Sequence, residues 1–141
     1  MKLTITVPGT PVADTRPRIT KNGVYDPRAK EKARFRDYAA VQCPEKPLTG
    51  PVILSAAFIM DRPKSHYGVR PYCHAITGLK DSAKLKPHIV RPDLDNLLKF
   101  VLDALNGIAY EDDKQVVGFS YVVKHYTDSR NPRTIVEIEE V

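Results

Sequence analysis

The 141-residue sequence contains no tryptophan, only two cysteines, and no apolar run long enough to cross a membrane. A membrane helix needs about 18 consecutive apolar residues, and residues 1–30 lack the basic segment and long apolar core of a secretion signal. Cys43 and Cys73 form no CxxC pair and so provide no disulfide framework. We therefore expect a cytoplasmic protein with reduced thiols and no membrane partner.

The apolar content of 42% suits one domain over residues 1–141 with a single core. Lys and Arg total 22 against 17 Asp and Glu, a net charge of +5. This balance fits a phosphate-binding protein but also many unrelated ones. Its distribution says more, because bases crowd residues 16–36 and 62–91 while acids cluster in 93–113 and 137–140. Basic flanks around an acidic centre are what a nuclease needs.

Four segments read as strands and two as helices. The strands are predicted at Lys2–Val7, Val52–Met60, Val116–Tyr126 and Thr134–Glu139, and the first helix at 27–42. The turn-rich residues 127–132 predict that the last two strands form a hairpin. The fold class is α+β: a mixed or antiparallel sheet of about four strands with two main helices packed against it.

The second helix has the clearest pattern in the chain. Its apolar residues recur at helical spacing, the stripe of a helix laid on a core: Leu94, Leu97, Leu98, Val101, Leu102 and Leu105. Pro92 fits its first turn, and Asn106-Gly107 supplies the left-handed residue that ends it.

Carboxylates accompany this helix. Asp95, Lys99 and Asp103 lie four apart on its polar side, Asp93 precedes them, and Glu111-Asp112-Asp113 follows just before a strand. Clustered carboxylates raise one another's pKa unless a cation offsets them, and Mg²⁺ prefers such oxygen ligands. The plainer alternative is that the acids only favour the positive end of the helix dipole and a polar turn.

Two basic segments are candidates for DNA contact. Arg16 and Arg18 lie in a loop or short hairpin, where they are either solvated or grip phosphates. Residues 62–90, polar and broken by prolines, predict a long excursion that is either flexible or binds DNA, with Lys84 and Lys86 approaching the second helix. Within the excursion, Tyr67 and Tyr72 could stack on bases, and the His and Cys spacings match no familiar zinc site.

The strings PDLDNLLK, DALNG and EDDKQVV, in this order and spacing, resemble the RusA-like family of Holliday junction resolvases. The resemblance implies a homodimeric endonuclease that depends on Mg²⁺, with Mn²⁺ as an alternative, and cuts four-way DNA junctions in recombination and repair. The family's essential acids fall on Asp93, Asp95 and Asp113, which would hold the metal, and its essential lysine falls on Lys99. Asp113 is chosen over Asp112 by the match to DDxQVV.

Family members also often carry an RPR-like segment, which supports phosphate contacts at the early arginines. The DNA-binding residues that we predict are Arg16, Arg18, Lys84, Lys86 and Arg91. Two alternatives stay open: a branched-DNA or flap nuclease of the same fold, and a non-catalytic DNA-binding module with incidental carboxylates.

Overall fold

The computed structural model describes residues 2–69 and 76–141. In chain order its strands and helices are β1 (Lys2–Pro8), β2 (Arg18–Thr20), β3 (Gly23–Tyr25), α1 (Ala29–Ala40), β4 (Val52–Met60), β5 (Tyr67–Val69), β6 (Ile76–Leu79), α2 (Leu94–Leu105), β7 (Val116–Tyr126) and β8 (Arg133–Glu140). No helix in this part of the chain is long and apolar enough to span a membrane.

The main sheet has four strands in the order β1-β8-β4-β7. Strand β8 runs antiparallel to both β1 and β4, whereas β7 runs parallel to β4. The predicted α+β fold with a mixed sheet is confirmed, but the predicted hairpin between the last two strands is wrong. Strand β4 lies between them, because its nearly continuous apolar sequence is buried along most of its length and takes the centre of the sheet.

Helix α2 packs its apolar stripe on the sheet. Its buried residues are Leu97, Phe100, Val101, Ala104 and Leu105, and they share one core with residues of β1, β4 and β8. Each fully buried Leu, Phe or Val side chain contributes about 1.5–3 kcal/mol. The helix ends as predicted, with Gly107 at φ +77° after the capping Asn106. The stripe therefore fixes which face of α2 carries Asp95, Lys99 and Asp103.

Helix α1 buries Phe35 and Ala39. Phe35 meets Phe100 of α2 edge to face, with ring centroids 5.8 Å apart. The cations of α1 are not all on a free surface, because Arg36 Nη1 donates to the carbonyls of Ala104 and Asn106 at 2.9 and 2.8 Å. Those carbonyls lie at the end of α2, where intrahelical donors run out. Arg36 of α1 thus helps to hold the C-terminal end of α2 in place.

The excursion at 62–90 is attached to the end of the sheet by a buried arginine. Arg62 donates from Nε to Thr127 O at 2.7 Å and from Nη1 to Ala83 O at 2.7 Å. Its guanidinium also lies over the ring of Tyr126, 5.2 Å from the centroid. Two 3₁₀ turns, Lys64–His66 and Asp81–Ala83, and the β5–β6 pair give the segment local structure. Its described residues are therefore tied to the domain and not a free loop.

Candidate active site at the start of α2

An open cleft of about 710 Å³ lies at the N-terminal end of α2. One wall is the segment that follows β1, residues 10–13, and Arg28 stands at the start of α1. The other wall is the entry to α2, with Arg91, Pro92, Asp93 and Asn96. A hydrogen bond of 2.9 Å from Asp14 N to Asn96 O joins the two walls. The lining of the cleft thus includes one carboxylate, Asp93, and two guanidinium groups, Arg28 and Arg91.

Asp93 and Asp95 are exposed at the start of α2. Asp93 is the residue that precedes the helix, and its backbone carbonyl accepts from Leu97 N at 3.1 Å, but its side chain makes no capping hydrogen bond. Carboxylates at this position favour the positive end of the helix dipole. Because the Asp93 carboxylate is not used as a cap, its oxygens are available to a ligand in the cleft.

Lys124 holds the turn that leads into Asp93. This residue of β7 donates from Nζ to Val90 O at 3.0 Å and to Pro92 O at 2.9 Å. A cation near a helix N-terminus is unfavourable with respect to the dipole, so the two carbonyls are what compensate it. The ammonium therefore fixes the backbone on both sides of Arg91.

The neighbouring acids Asp112 and Asp113 have different environments. Asp112 caps the short 3₁₀ turn Asp113–Gln115, since its side chain accepts from Lys114 N at 3.0 Å while Gln115 Oε1 accepts from Asp112 N at 2.9 Å. Gln115 Nε2 also donates to Leu48 O and Gly50 O at 2.8 and 2.9 Å. The side chains of Asp112 and Gln115 therefore stabilise the turn. Asp113 is the acid of the Asp112-Asp113 pair whose carboxylate does not cap it.

The pKa of the Asp113 carboxyl is raised by burial and by the adjacent Asp112. Burial likewise raises the pKa of Asp103, an effect that Lys32 opposes and that Asp14 and Asp113 reinforce. Asp113 therefore interacts with the C-terminal half of α2. Asp103 lies about 12 Å along the helix axis from Asp95, at a rise of 1.5 Å per residue.

In residues 2–69 and 76–141 no three His, Cys, Asp or Glu side chains form a group that could hold a metal ion. The predicted ligands Asp93, Asp95 and Asp113 are thus not assembled into one group within a single chain. Lys99 is exposed on the same side of α2 as Asp95, one turn further on. The assignment of these four residues stays a prediction.

A cluster around Lys32 connects the two helices with the segment between β1 and α1. Lys32 Nζ lies 2.9 Å from Asp26 Oδ2, 3.2 Å from Asp14 Oδ1 and 3.7 Å from Asp103 Oδ2. Burial lowers the pKa of Lys32, but its hydrogen bonds to Asp26 and Asp14 outweigh burial, and the pKa is raised. Lys32 is therefore a positive charge that is held in place between α1, α2 and the segment before α1.

The predicted DNA-binding residues belong to three segments of the chain. Arg16 and Arg18 are exposed in the segment between β1 and α1, and Arg91 lines the cleft. Lys84 and Lys86 are exposed after the turn Asp81–Ala83, where Lys84 pairs with Asp81 at 3.0 Å.

Of the two predicted stacking tyrosines, Tyr67 belongs to the described residues and is not on the surface. Tyr67 is buried, with the guanidinium of Arg130 over its ring at 4.7 Å from the centroid, so it does not offer a face to a base. Tyr72 lies outside the described residues, as do Cys73 and His74.

Three residues of the site were not predicted from the sequence: Arg28, Lys32 and Lys124. Lys32 lies in the basic stretch 16–36, where lysines are expected to be solvated, yet its side chain is only 19% exposed. Lys124 offered a signal, since in the alternating strand 116–126 it shares a face with Val122 and Tyr126. A lysine on the face that packs against the core needs partners, and the turn before α2 provides them.

Comparison with known proteins supports a nuclease site. The family model described as endodeoxyribonuclease RusA matches residues 8–139. A relative in Bacillus subtilis (strain 168), "Uncharacterized protein YqaN", is 37% identical over 146 aligned residues, which cover 96% of this chain and 94% of the relative. The match includes every element that forms the cleft.

Proposed function

This chain belongs to the RusA endodeoxyribonuclease family, and from that membership we propose that it resolves four-way DNA junctions by hydrolysing a phosphodiester in each of two opposed strands. The observation that carries the proposal is the cleft at the start of α2, which Asp93 lines together with Arg28 and Arg91. Guanidinium groups bind phosphates with two parallel hydrogen bonds. The cleft thus combines phosphate binding with a carboxylate for the reaction.

The metal in this proposal is Mg²⁺, or Mn²⁺. Mg²⁺ is usually held by one or two carboxylates, with waters and substrate phosphates as its other ligands, so the free carboxylates of Asp93 and Asp95 suit it. When bound, the ion would activate a water and stabilise charge on the phosphate. Lys99, one turn beyond Asp95, would neutralise a phosphate oxygen as the bond breaks.

Asp113 remains in the proposal as the third carboxylate. Burial and the adjacent Asp112 raise the pKa of its carboxyl, and a bound cation would offset both effects. In one chain it interacts with Asp112 and Asp103. A four-way junction needs two cuts related by two-fold symmetry, so we propose a homodimer. In such a dimer, Asp113 of one protomer would complete the metal site that Asp93 and Asp95 form in the other.

The deciding experiment is cleavage of a mobile four-way junction in Mg²⁺. Asp93→Asn and Asp95→Asn should each abolish cutting while junction binding is kept or strengthened, because each change removes a charge that repels phosphate. Asp37→Asn, at an exposed acid on α1, is the matched control and should cut like the wild type. Wild-type rates in both site variants would refute the assignment.

Two further measurements separate the alternatives. Equal cutting of junctions, flaps and duplex would favour a less selective nuclease of the same fold, and tight binding with no cutting in Mg²⁺ or Mn²⁺ would favour a binding module. Dimerisation is tested by the scattering mass of the free protein and of its junction complex. If protomers share sites, mixing Asp93→Asn protein with Asp113→Asn protein should restore some cutting that neither variant has alone.

A further inference from the structure

Residues 15–25 form an arm that stands away from the core. Strands β2 and β3 pair with each other, Ile19 lies opposite Val24, and all six strand residues are exposed. Gly23, at φ +114°, closes the turn, and Thr20 Oγ1 donates to Gly23 O at 3.0 Å. The arm is therefore a short hairpin with its own turn geometry.

Both ends of the arm are attached to Lys32 of helix α1. Asp14 precedes it and Asp26 follows it, and both carboxylates bind the ammonium of Lys32, at 3.2 and 2.9 Å. Ala13 and Arg28, just outside these two acids, line the cleft. The arm thus rises from the rim of the proposed active site, and its root does not depend on the arm's own exposed residues.

The middle residues of the two strands of the arm form an unusual pair of side chains. Ile19 is 86% exposed and Val24 is 68% exposed, and residues directly opposite each other on antiparallel strands have adjacent Cβ atoms. Single exposed aliphatic residues are ordinary on protein surfaces. Here Ile19 and Val24 are adjacent and form one exposed apolar patch on the hairpin, which the main core does not cover.

The charge of the arm identifies its partner. Between residues 15 and 25 the sequence has three cations, Arg16, Arg18 and Lys21, and no acid. Phosphates are the complement of such a surface, while apolar side chains beside them fit between bases that have lost their stacking. Unstacking costs least where the duplex is already interrupted, and the centre of a four-way junction is such a place.

Resting on the proposed function, we infer that Ile19 and Val24 form an apolar wedge that enters the branch point of the junction while the cations of the arm hold the flanking phosphates. The arm then distinguishes a branch from continuous duplex. The cations alone would bind both, because phosphate contacts carry no information about structure at the bases.

The test uses a four-way junction with 2-aminopurine at its branch point and a duplex of the same length, both in buffer without divalent metal, so that no strand is cut. Wild-type protein should raise the 2-aminopurine fluorescence. The double variant Ile19→Ser/Val24→Ser should lose that rise and bind the junction about tenfold more weakly, because the apolar contacts of both side chains with bases are lost, while its duplex affinity is unchanged. Ile19→Leu/Val24→Leu should restore both signals.

Val41→Ser is the matched control, because Val41 is 84% exposed at the end of α1, and it should behave like the wild type. The inference is overturned if bound wild-type protein leaves the fluorescence unchanged, if the serine variant keeps the rise, or if its affinity for duplex falls equally. A change of the serine variant from dimer to monomer would also overturn it, by assigning the pair to a subunit interface. If the wild type fails to cut a junction in Mg²⁺, the proposed function fails instead.

Discussion

Lys32→Met should destabilise the protein far more than its position on a basic helix suggests. The side chain of Lys32 is 19% exposed, and that of Asp14, its most buried partner, is 7% exposed. Breaking a buried ion pair costs about 3–5 kcal/mol, whereas pairs with partly exposed partners such as Asp26 and Asp103, at 30% and 37%, add at most about 1 kcal/mol each because solvent screens them. We expect a loss of about 3 kcal/mol in the free energy of unfolding at pH 7.

The loss should shrink as the pH falls. The pKa of folded Asp26 is lowered, chiefly by its hydrogen bond to Lys32, so the stability that this group contributes is present at pH 7 and at pH 4.5 and disappears only below 3.8, as the pH falls through the folded pKa. The change between pH 7 and 4.5 therefore comes from Asp103. The pKa of Asp103 is raised, and Lys32 is the charge that limits the rise. In Lys32→Met the charge that limits this rise is absent, so protonation of Asp103 should increase the free energy of unfolding of the variant relative to that of the wild type between pH 7 and 4.

Urea unfolding at pH 7 and at pH 4.5 measures both effects, with Lys30→Met as the control because Lys30 is exposed on the same helix. The control should lose less than about 0.5 kcal/mol, as surface substitutions generally do. A loss below 1 kcal/mol for Lys32→Met that does not change with pH would refute the reasoning, since Lys32 would then behave as a solvated lysine.

Three further predictions concern single residues. Asp112→Ala should lower the midpoint of thermal unfolding but keep junction cutting, whereas Asp113→Asn should abolish cutting; the reverse pattern in a cleavage assay would mean that the DD pair is assigned one residue out of place. Lys124→Met should lower kcat about 100-fold, as small displacements of reacting groups can, with unchanged junction affinity, and Lys124→Arg should recover part of kcat. Burial lowers the pKa of His66 in the folded chain, so stability should fall as the pH drops below 6.5, and the slope between pH 7.5 and 5.5 should flatten in His66→Gln.

The elements that the sequence predicts well are those whose residues determine them locally. The bounds predicted for β4 and β7 match the structure, and α2 ends at the predicted Asn106-Gly107. The predicted pairing of the last two strands is wrong, because the turn residues 127–132 define a local bend and not the strand that occupies the space beside it. The central place of β4, by contrast, is indicated by its nearly continuous apolar sequence, since a strand buried on both faces lies inside a sheet.

The residues of the site also fall into a group that the sequence predicts and a group that it does not. The acids near α2 are visible because their spacing is regular, but the side chains that hold them in place are distant in the chain. Lys124 reaches Val90 O and Pro92 O from another strand, and Lys32 joins acids on both sides of the arm. Nothing in the spacing of a basic helix shows that one of its lysines will meet three carboxylates, because that depends on how the helices pack.

Lys32 also shows why a count of cations is a poor guide to DNA binding. Its charge is neutralised by three carboxylates of its own chain, so it has little left for a phosphate, whereas Arg16 and Arg18 lie in an arm without acids. Each phosphate contact contributes a slope of about −0.9 to the logarithm of affinity against the logarithm of salt concentration. Arg16→Ala should therefore make the salt dependence of junction binding shallower by about one contact. Lys32→Met should weaken binding by loosening the arm but leave the slope as in the wild type, and a shallower slope in Lys32→Met would place Lys32 on the DNA.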